Sequence, residues 1–443
     1  MNPEQTAARI IEMVGNRAEA HASATTGVAS LTRFANSFIH QNVSEVQHAV
    51  ALKVAVDGRV TSARTSRVDD DGLRSLVDGA IEAAALQPVD GDWPGVSPPE
   101  EIPQIDEHYD VGTAEATPEE RSTIVADFID AGDGLVAAGY CDTEATDHAF
   151  ANSRGHSGKG RMTRATVDGI QQTDTSAGSA HQTSVALHDL AGDAAGILAS
   201  QRARDSAAAY DIKPGEYEVV LAPECVATIA IFLGFYGFNG KAVNEGQSFV
   251  DTGALQFDEA VELVDDSADP RALGLAFDAE GTPKRRHLLI GDGVTGDPVH
   301  DRRTGGKAGT ASTGHSIAGG EAWGAIPTNM FFRGGSEHVE NLIADVERGL
   351  YVSTFNYCRI LDPKSQVVTG LTRNGTFMIE NGAVTGAVTN LRFTQSFVDA
   401  LAPGRVLGVA DDGRFADSEF GPGLVHAPTV RLAGWNFTGG AEG

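Results

Sequence analysis

The side chains with the most chemical capacity lie in the stretch 277–315. Asp278 and Glu280 are two carboxyl groups close enough in sequence for one to act as an acid and the other as a base. His300 and His315 carry imidazoles, which exchange protons near neutral pH and also bind metal ions. The glycine and proline that follow the carboxyl pair favour a backbone turn over an acid–base pair.

The two histidines flank a basic, glycine-rich segment, 305–309, which is predicted to be a loop. Together with Asp301 they would form an autonomous hydrolytic site, but only if tertiary folding brought them together. Solvated or hydrogen-bonded histidines are the simpler interpretation, and the hydrolytic cluster stays as an alternative. The segment itself lacks the spacing of a phosphate-binding loop and a helix after it, so phosphate binding is not predicted.

The sequence contains none of the short motifs that mark a zinc peptidase or a serine hydrolase. A zinc peptidase needs two helical histidines with a glutamate beside them, and neither H-E-x-x-H nor H-E-x-x-x-H occurs. No G-x-S-x-G nucleophile elbow occurs either. The three cysteines, Cys141, Cys225 and Cys358, are far apart and predict core thiols instead of a disulfide framework or a zinc knuckle.

Composition limits the class of protein. The 443 residues are 41% apolar and 21% charged, as in a globular protein, and exceed the size of one ordinary core. The net charge of −28 repels phosphate backbones, so we expect no nucleic-acid partner. No apolar run is long enough to span a membrane, and the first residues lack a basic region and an apolar signal core. We therefore expect a cytoplasmic protein without membrane contact.

Local signals predict the elements that hold these side chains. The segments 2–5 and 117–120 each combine a cap, a proline and a residue that completes a capping box, so a helix is predicted after each. Asp57-Gly58 lies between two β-prone runs and predicts a hairpin. The segment 336–349 begins with a serine and ends with a glycine, and predicts a helix in the second half.

The best candidate for a domain boundary is Lys213-Pro214-Gly215, because the texture of the sequence changes there. We predict an α+β fold with two domains. Residues 1–212 are expected to form a mixed α/β domain of helices and strands. Residues 213–443 are expected to form a mainly antiparallel, barrel-like β domain.

Several short motifs occur in an order that resembles the TldD/PmbA family, intracellular peptidases once described as modulators of DNA gyrase. The likeness is strongest in the second half, where the motifs are Phe277-Asp278-x-Glu280-Gly281-Thr282-Pro283, Ser312-Thr313-Gly314, Pro327-Thr328-Asn329, Glu347-Arg348-Gly349-Leu350-Tyr351-Val352 and Ile379-Glu380-Asn381-Gly382. Each motif alone is weak, but their order and spacing together are specific.

The resemblance also locates where a metal site would be. In the zinc-bearing members, a strand ending in Val-Val-Leu and a proline lead into a helix with the motif His-Glu-x-x-x-His. In that register Ile231 and Tyr236 stand at the two histidine positions and Phe232 at the general-base position. The family's third ligand, a cysteine, should fall near 417–420, where this sequence has none. The resemblance thus implies no metal and no cofactor in this chain.

What the resemblance implies for function is a metal-free, PmbA/TldE-type subunit of a TldD/TldE-type peptidase complex. Such a subunit would pair with a zinc-bearing TldD-like chain, or with itself, and the complex would act on unfolded, extended peptides. Position in the family pattern places Ser312, Thr313, Gly314 and Asn329 near the peptide-binding groove, with no catalytic residue assigned. A stand-alone homodimeric peptide-binding module is a further alternative, and the sequence leaves open whether this chain has activity alone.

Overall fold

The computed structural model describes residues 1–320 and 322–440. It confirms the α+β class, with mainly antiparallel sheets and a closed, barrel-like sheet in the second half. No helix among these residues is both long and apolar enough to cross a bilayer.

The first half consists of one long-stranded sheet and the helices that cover it. Its elements are α1 (Pro3–Val14), β1 (Glu19–Ala35), β2 (Phe38–Val56), β3 (Arg59–Thr65), α2 (Asp70–Ala85), α3 (Val111–Ala114), α4 (Pro118–Asp130), β4 (Val136–Asn152), β5 (Ser157–Gln172), β6 (Ala177–Ser184) and α5 (Gly192–Asp205).

Both predicted capping boxes are confirmed. The side chain of Asn2 accepts a hydrogen bond from the backbone N–H of Gln5 (2.8 Å), and the Gln5 side chain accepts one from the backbone N–H of Asn2 (3.2 Å). Thr117 and Glu120 make the same reciprocal pair at the start of α4. The predicted hairpin at Asp57-Gly58 joins β2 to β3. These elements could be predicted from the sequence because all the residues that form each cap or turn lie within four positions of the chain.

The six strands pair antiparallel in the order β3-β2-β1-β4-β5-β6. Side chains alternate between the two faces of a strand, so one face of β1 presents Ala20, Ala22 and Ala24. These alanines pack with Ile10 of α1 and Leu73 of α2 in one buried cluster. The opposite face carries no helix from this cluster and instead faces loops from the second half of the chain.

The second half begins after the segment 206–214, which contains the predicted boundary between residues 212 and 213; that boundary stays a prediction. Its elements are β7 (Gly215–Leu221), α6 (Pro223–Phe232), α7 (Gly240–Asn244), β8 (Leu263–Asp265), β9 (His287–Gly291), β10 (Val294–Thr295), α8 (Arg302–Ala308), β11 (Met330–Phe332), α9 (Val339–Ala344), β12 (Arg348–Asp362), β13 (Val367–Glu380), β14 (Ala383–Ala387), β15 (Leu391–Ser396), α10 (Phe397–Ala400), β16 (Val406–Val409), β17 (Arg414–Ser418), β18 (Gly421–Ala427) and β19 (Val430–Gly440).

These strands form two sheets around α6. In one sheet the order β12-β7-β19-β15-β13 is closed by pairing of β12 with β13, which produces the barrel-like ring. The other sheet has the order β10-β9-β8-β11-β18-β17. All ten residues of α6 are buried, and the helix packs against β12 of the ring and against β17 and β18 of the second sheet.

The predicted helix over 336–349 is largely wrong. A helix forms only over Val339–Ala344, and Gly349 lies in β12, paired parallel with Glu218 of β7. A Cβ atom at Gly349 would lie 2.5 Å from the carbonyl oxygen of Glu218. This glycine therefore serves a close approach of two strands and does not end a helix.

Candidate functional site

The helix α6 places the three positions of the expected metal motif in a packed aromatic cluster. Ile231 and Phe232 are buried near the end of α6, and Tyr236 follows in a π-helical turn, Leu233–Gly237. The Phe232 ring lies 5.4 Å from the ring of Tyr236 and 5.5 Å from the ring of Phe420. The segment 417–420, where the third ligand is expected in the family, thus does lie beside α6.

This cluster does not fit a zinc ion. Zinc is bound by nitrogen, sulfur or carboxylate oxygen atoms, and the side chains of Ile231, Phe232 and Phe420 offer none of these. Burial raises the pKa of the Tyr236 phenol, which disfavours the phenolate form. Across residues 1–320 and 322–440, no group of three or more histidine, cysteine and acidic side chains is arranged to hold a metal ion.

A second feature is a cleft between the helix-free face of the six-stranded sheet and two loops of the second half. We call it the central cleft; its loop wall is formed by 277–284 and 316–319. It contains a cavity of about 510 Å³, flanked by cavities of about 490 and 250 Å³. The large cavity shares His148 with the first of these and Lys53 with the second, so the three lie in a row.

The turn at Asp278 forms the base of the loop wall. One carboxylate oxygen of Asp278 accepts the backbone N–H groups of Glu280 and Thr282, and the other accepts that of Ser316, all at 2.9 Å. Gly281 adopts a φ of 76°, which the turn requires. Burial raises the pKa of Asp278, although these three bonds oppose the shift. The interpretation of this motif as a structural turn is confirmed.

Glu280 points to the opposite side of the same turn. Its carboxylate accepts the backbone N–H of Arg302 at 3.0 Å, at the start of α8. Burial, followed by the charge of Asp278, raises its pKa to about 7; the Arg302 N–H and Lys53 oppose this, while Asp301 adds to it. Between pH 4.5 and 7 the folded protein therefore holds a proton here that an unfolded chain has released.

We expect Glu280→Gln to remove this pH dependence. The free energy of unfolding of the wild type should fall as the pH rises from 4.5 to 7. In this range the folded protein binds a proton that the unfolded chain has released, so each rise in pH favours the unfolded chain. Relative to the wild type, the variant should gain about 3 kcal/mol in free energy of unfolding across that window. Urea titrations at several pH values measure it, and parallel profiles of the two proteins would contradict the assignment.

Lys284 stands at the end of the turn and lines the central cleft. Its ammonium donates to Oγ1 of Thr328 at 3.0 Å and to Oδ1 of Asn329 at 3.2 Å. Burial lowers the pKa of Lys284, partly offset by the negative charges of Asp265 and Asp278. Sequence reasoning missed this residue; the available signal was a lysine directly after the Asp278–Pro283 turn.

The four residues assigned to substrate binding lie together, one layer behind the cleft. Ser312 and Thr313 donate to the carbonyl of His300, and Gly314 packs on the backbone of Pro283. Asn329 is 1% exposed and holds the Lys284 ammonium through its side-chain oxygen. Their assigned role as peptide contacts stays a prediction; their observed contacts position the loop wall.

His300, Asp301 and His315 are near one another in the fold, but each is engaged separately. Nδ1 of His300 lies 3.2 Å from the Thr304 hydroxyl, and the Asp301 carboxylate caps α8. His315 is buried, with Nε2 3.2 Å from Oδ1 of Asp265. Burial would raise the pKa of Asp265, but the His315 contacts bring it below its ordinary value. This geometry offers no exposed base for an autonomous hydrolase.

Comparison with known proteins adds a family match. A profile described as the PmbA/TldA metallopeptidase C-terminal domain matches residues 214–439, just over half of the chain. Curated relatives described as metalloprotease TldD homologs come from Buchnera aphidicola, 24% identical over 207 residues, and Haemophilus influenzae, 25% identical over 144 residues. The matches span 45% and 31% of this chain, and 41% and 29% of those relatives.

Solved structures share the whole fold. TldE from Thermococcus kodakarensis superposes with a TM-score of 0.86 over 97% of this chain and 98% of its own. A proposed modulator of a DNA gyrase from Thermotoga maritima gives 0.84 over 98% of this chain and 99% of its own. Both are 17% identical to this chain, so the likeness establishes the architecture alone.

Proposed function

This chain belongs to the PmbA/TldD metallopeptidase family, and from that premise we propose that it is a metal-free, TldE-like subunit of a TldD/TldE-type peptidase complex acting on unfolded peptides. In this proposal the zinc ion and the general base are in a TldD-like partner chain. This chain contributes peptide binding, in the cytoplasm, and cleaves nothing alone.

The observation that carries the proposal is the aromatic cluster at the end of α6. A peptidase of this kind uses a metal ion to polarise bound water and a carboxylate to take its proton. Ile231 and Phe232 belong to one buried core cluster, in which the Phe232 ring packs against the rings of Phe397 and Phe420, and neither side chain has an atom for either task. Replacement of one ligand would leave a weakened site, whereas replacement of every one supports a structural role for α6.

The central cleft supports the peptide-binding part. The three adjoining cavities extend along one face of the first sheet, which suits an extended chain more than a folded protein. One edge of that face is β3, whose Val60, Thr61 and Ser62 line the smallest cavity. Within the described residues, β3 pairs with no strand other than β2, and a bridge between Arg59 and Val89 covers the start of its outer edge. The outer backbone groups beyond Arg59 are available to an added strand.

The test combines metal analysis with reconstitution. We expect the purified chain to contain no stoichiometric zinc by plasma mass spectrometry and to leave a fluorogenic unfolded peptide intact. Addition of a TldD-like chain with a His-Glu-x-x-x-His motif, from the same source, should produce cleavage that a chelator abolishes. The control is the TldD-like chain with its motif glutamate replaced by glutamine, which should leave the mixture inactive.

One tightly held zinc ion per isolated chain would overturn the proposal. Chelator-sensitive cleavage by the isolated chain would do the same. Failure of the two chains to associate would favour a homodimeric peptide-binding module, the alternative that the sequence left open.

A further inference from the structure

The large cavity of the central cleft has an unusual charge for this protein. The whole chain carries a net charge of −28. The cavity, in contrast, is lined by three cationic side chains, Lys53, Arg64 and Lys284, and by two carboxylates, Glu144 and Asp278. Cationic side chains gathered in a cleft of a strongly acidic protein attract anions to this place and away from the remaining surface.

Both carboxylates of the lining are already engaged. Glu144 lies 3.1 Å from the guanidinium of Arg164. Asp278 accepts three backbone N–H groups, as described above. Neither makes an ion pair with Lys284: within the described residues, no carboxylate oxygen lies within 4.0 Å of that ammonium. The cavity walls therefore do not neutralise Lys284 by direct contact.

Within the described part of the chain, the hydrogen bonds of Lys284 leave one of its N–H donors unused. An ammonium has three N–H groups, and the contacts to Thr328 and Asn329 are to two neutral oxygen atoms. A partly buried ammonium without a direct counter-ion is unfavourable, in agreement with its lowered pKa. An anion entering the cavity would complete this set of contacts in a place shielded from water.

Two more side chains of the lining fit an anionic ligand. Arg64 makes no ion pair among the described residues, and its guanidinium lies against the backbone of Gly319, where an added Cβ would come within 2.7 Å. His21 is kept neutral, because burial, with Lys53 and His156, lowers its pKa to about 3. Its Nδ1 is buried without a hydrogen-bond partner in the described part of the chain.

We propose that Lys284 is a specificity-determining residue of the central cleft and binds a carboxylate of the bound peptide, either the C-terminal carboxylate or an acidic side chain. This inference rests on the proposed peptide-binding function and adds the chemical class that the cleft selects. The cavity of about 510 Å³ lies within the range of small-ligand sites and has room for the end of a peptide or one acidic residue with its neighbours.

The test uses the full chain and three fluorescein-labelled peptides of otherwise neutral sequence. The first has a free C-terminal carboxylate, the second a C-terminal amide, and the third a C-terminal amide with one internal glutamate. Fluorescence anisotropy gives the dissociation constants. We expect at least one carboxylate peptide to bind the wild type about 10- to 100-fold more tightly than the neutral amide. Preference for the first or the third peptide identifies the source of the carboxylate.

Lys284→Met should abolish that preference, with folding checked by circular dichroism. Arg285→Met is the matched control: Arg285 is the next residue, its side chain is 80% exposed, and it faces Glu100 outside the cavity. It should keep the full preference. Equal affinity of the wild type for all three peptides would overturn this inference and leave peptide binding intact, even if the Lys284 variant failed to fold. Absence of binding to any of the three would overturn peptide binding by the isolated chain as well.

Discussion

Truncation of Phe232 to alanine should lower the free energy of unfolding by about 3–5 kcal/mol. The ring is 1% exposed and contacts three other aromatic rings, at 5.4 Å to Tyr236, 5.7 Å to Phe397 and 5.5 Å to Phe420. Removal leaves a cavity in the middle of the cluster that a helix buried on every side cannot fill by shifting. Urea unfolding followed by tryptophan fluorescence measures the change.

Phe38→Ala is the matched control, because Phe38 is 57% exposed at the start of β2 and should change the free energy of unfolding by less than about 1 kcal/mol. If Phe232→Ala were as mild as the control, the cluster would not be a packed core. The position would then have room for a ligand or an ion, and the structural role assigned to α6 would be wrong.

Glu224→Gln should destabilise the fold by a similar amount, about 3 kcal/mol. Glu224 lies at the start of α6 and is 6% exposed, with its carboxylate 2.9 Å from Arg414 of β17 and 3.7 Å from Arg202 of α5. Arg202 is itself 6% exposed. The amide variant leaves that guanidinium buried without its negative partner, which is the costly outcome for an ion pair of this kind. Denaturant titration at neutral pH measures the loss.

The effect of Glu224 should also depend on pH in a defined direction. Burial would raise the pKa of this carboxyl, but the charges of Arg414 and Arg202 lower it from 4.5 to about 2. A lowered pKa contributes stability that is complete above pH 4.5 and is lost as the pH falls towards 2. The difference between the wild type and Glu224→Gln should therefore shrink in acid.

Glu216→Gln is the control for the Glu224 experiment. Glu216 also pairs with an arginine, Arg405 at 2.8 Å, but the side chains are 60% and 35% exposed, so the loss should stay below about 1 kcal/mol. Equal losses for Glu216→Gln and Glu224→Gln, or a Glu224 difference that does not change with pH, would show that the buried network does not hold α5, α6 and β17 together.

The parts of the fold that could be predicted from the sequence depend on residues close to one another along the chain. The Asn2 and Thr117 caps and the Asp57-Gly58 hairpin each need only a few side chains and backbone groups in contact along the chain. The position of α6 after Val219-Val220-Leu221 was predictable for a similar reason, since a strand, a proline and an apolar run occur in succession.

Two glycine-containing segments were not predictable in this way. The segment 305–309 was expected to be a loop, but α8 runs over Arg302–Ala308 and ends at Gly309, which adopts a φ of 72°. Asp301 and Thr304 form a capping box that overcomes the poor helix propensity of the glycines. Gly349 was predicted to end a helix, but it lies in a strand. A glycine is needed there because the backbone of Glu218, on another strand, leaves no space for a Cβ atom.

Residue identity, in the register taken from the family resemblance, was sufficient for one prediction about the site: Ile231 and Phe232 have no atom that binds a metal ion or takes a proton, since an alkyl or phenyl group offers neither in any fold. The central cleft required the folded chain. Arg64, Glu144 and Lys284 are separated by up to 220 residues and meet only because one face of the first sheet packs against the loops of the second half. The charge of the cavity lining, the burial of its side chains and their unused hydrogen-bonding groups arise only in the folded chain. They depend on which distant atoms replace water around each side chain.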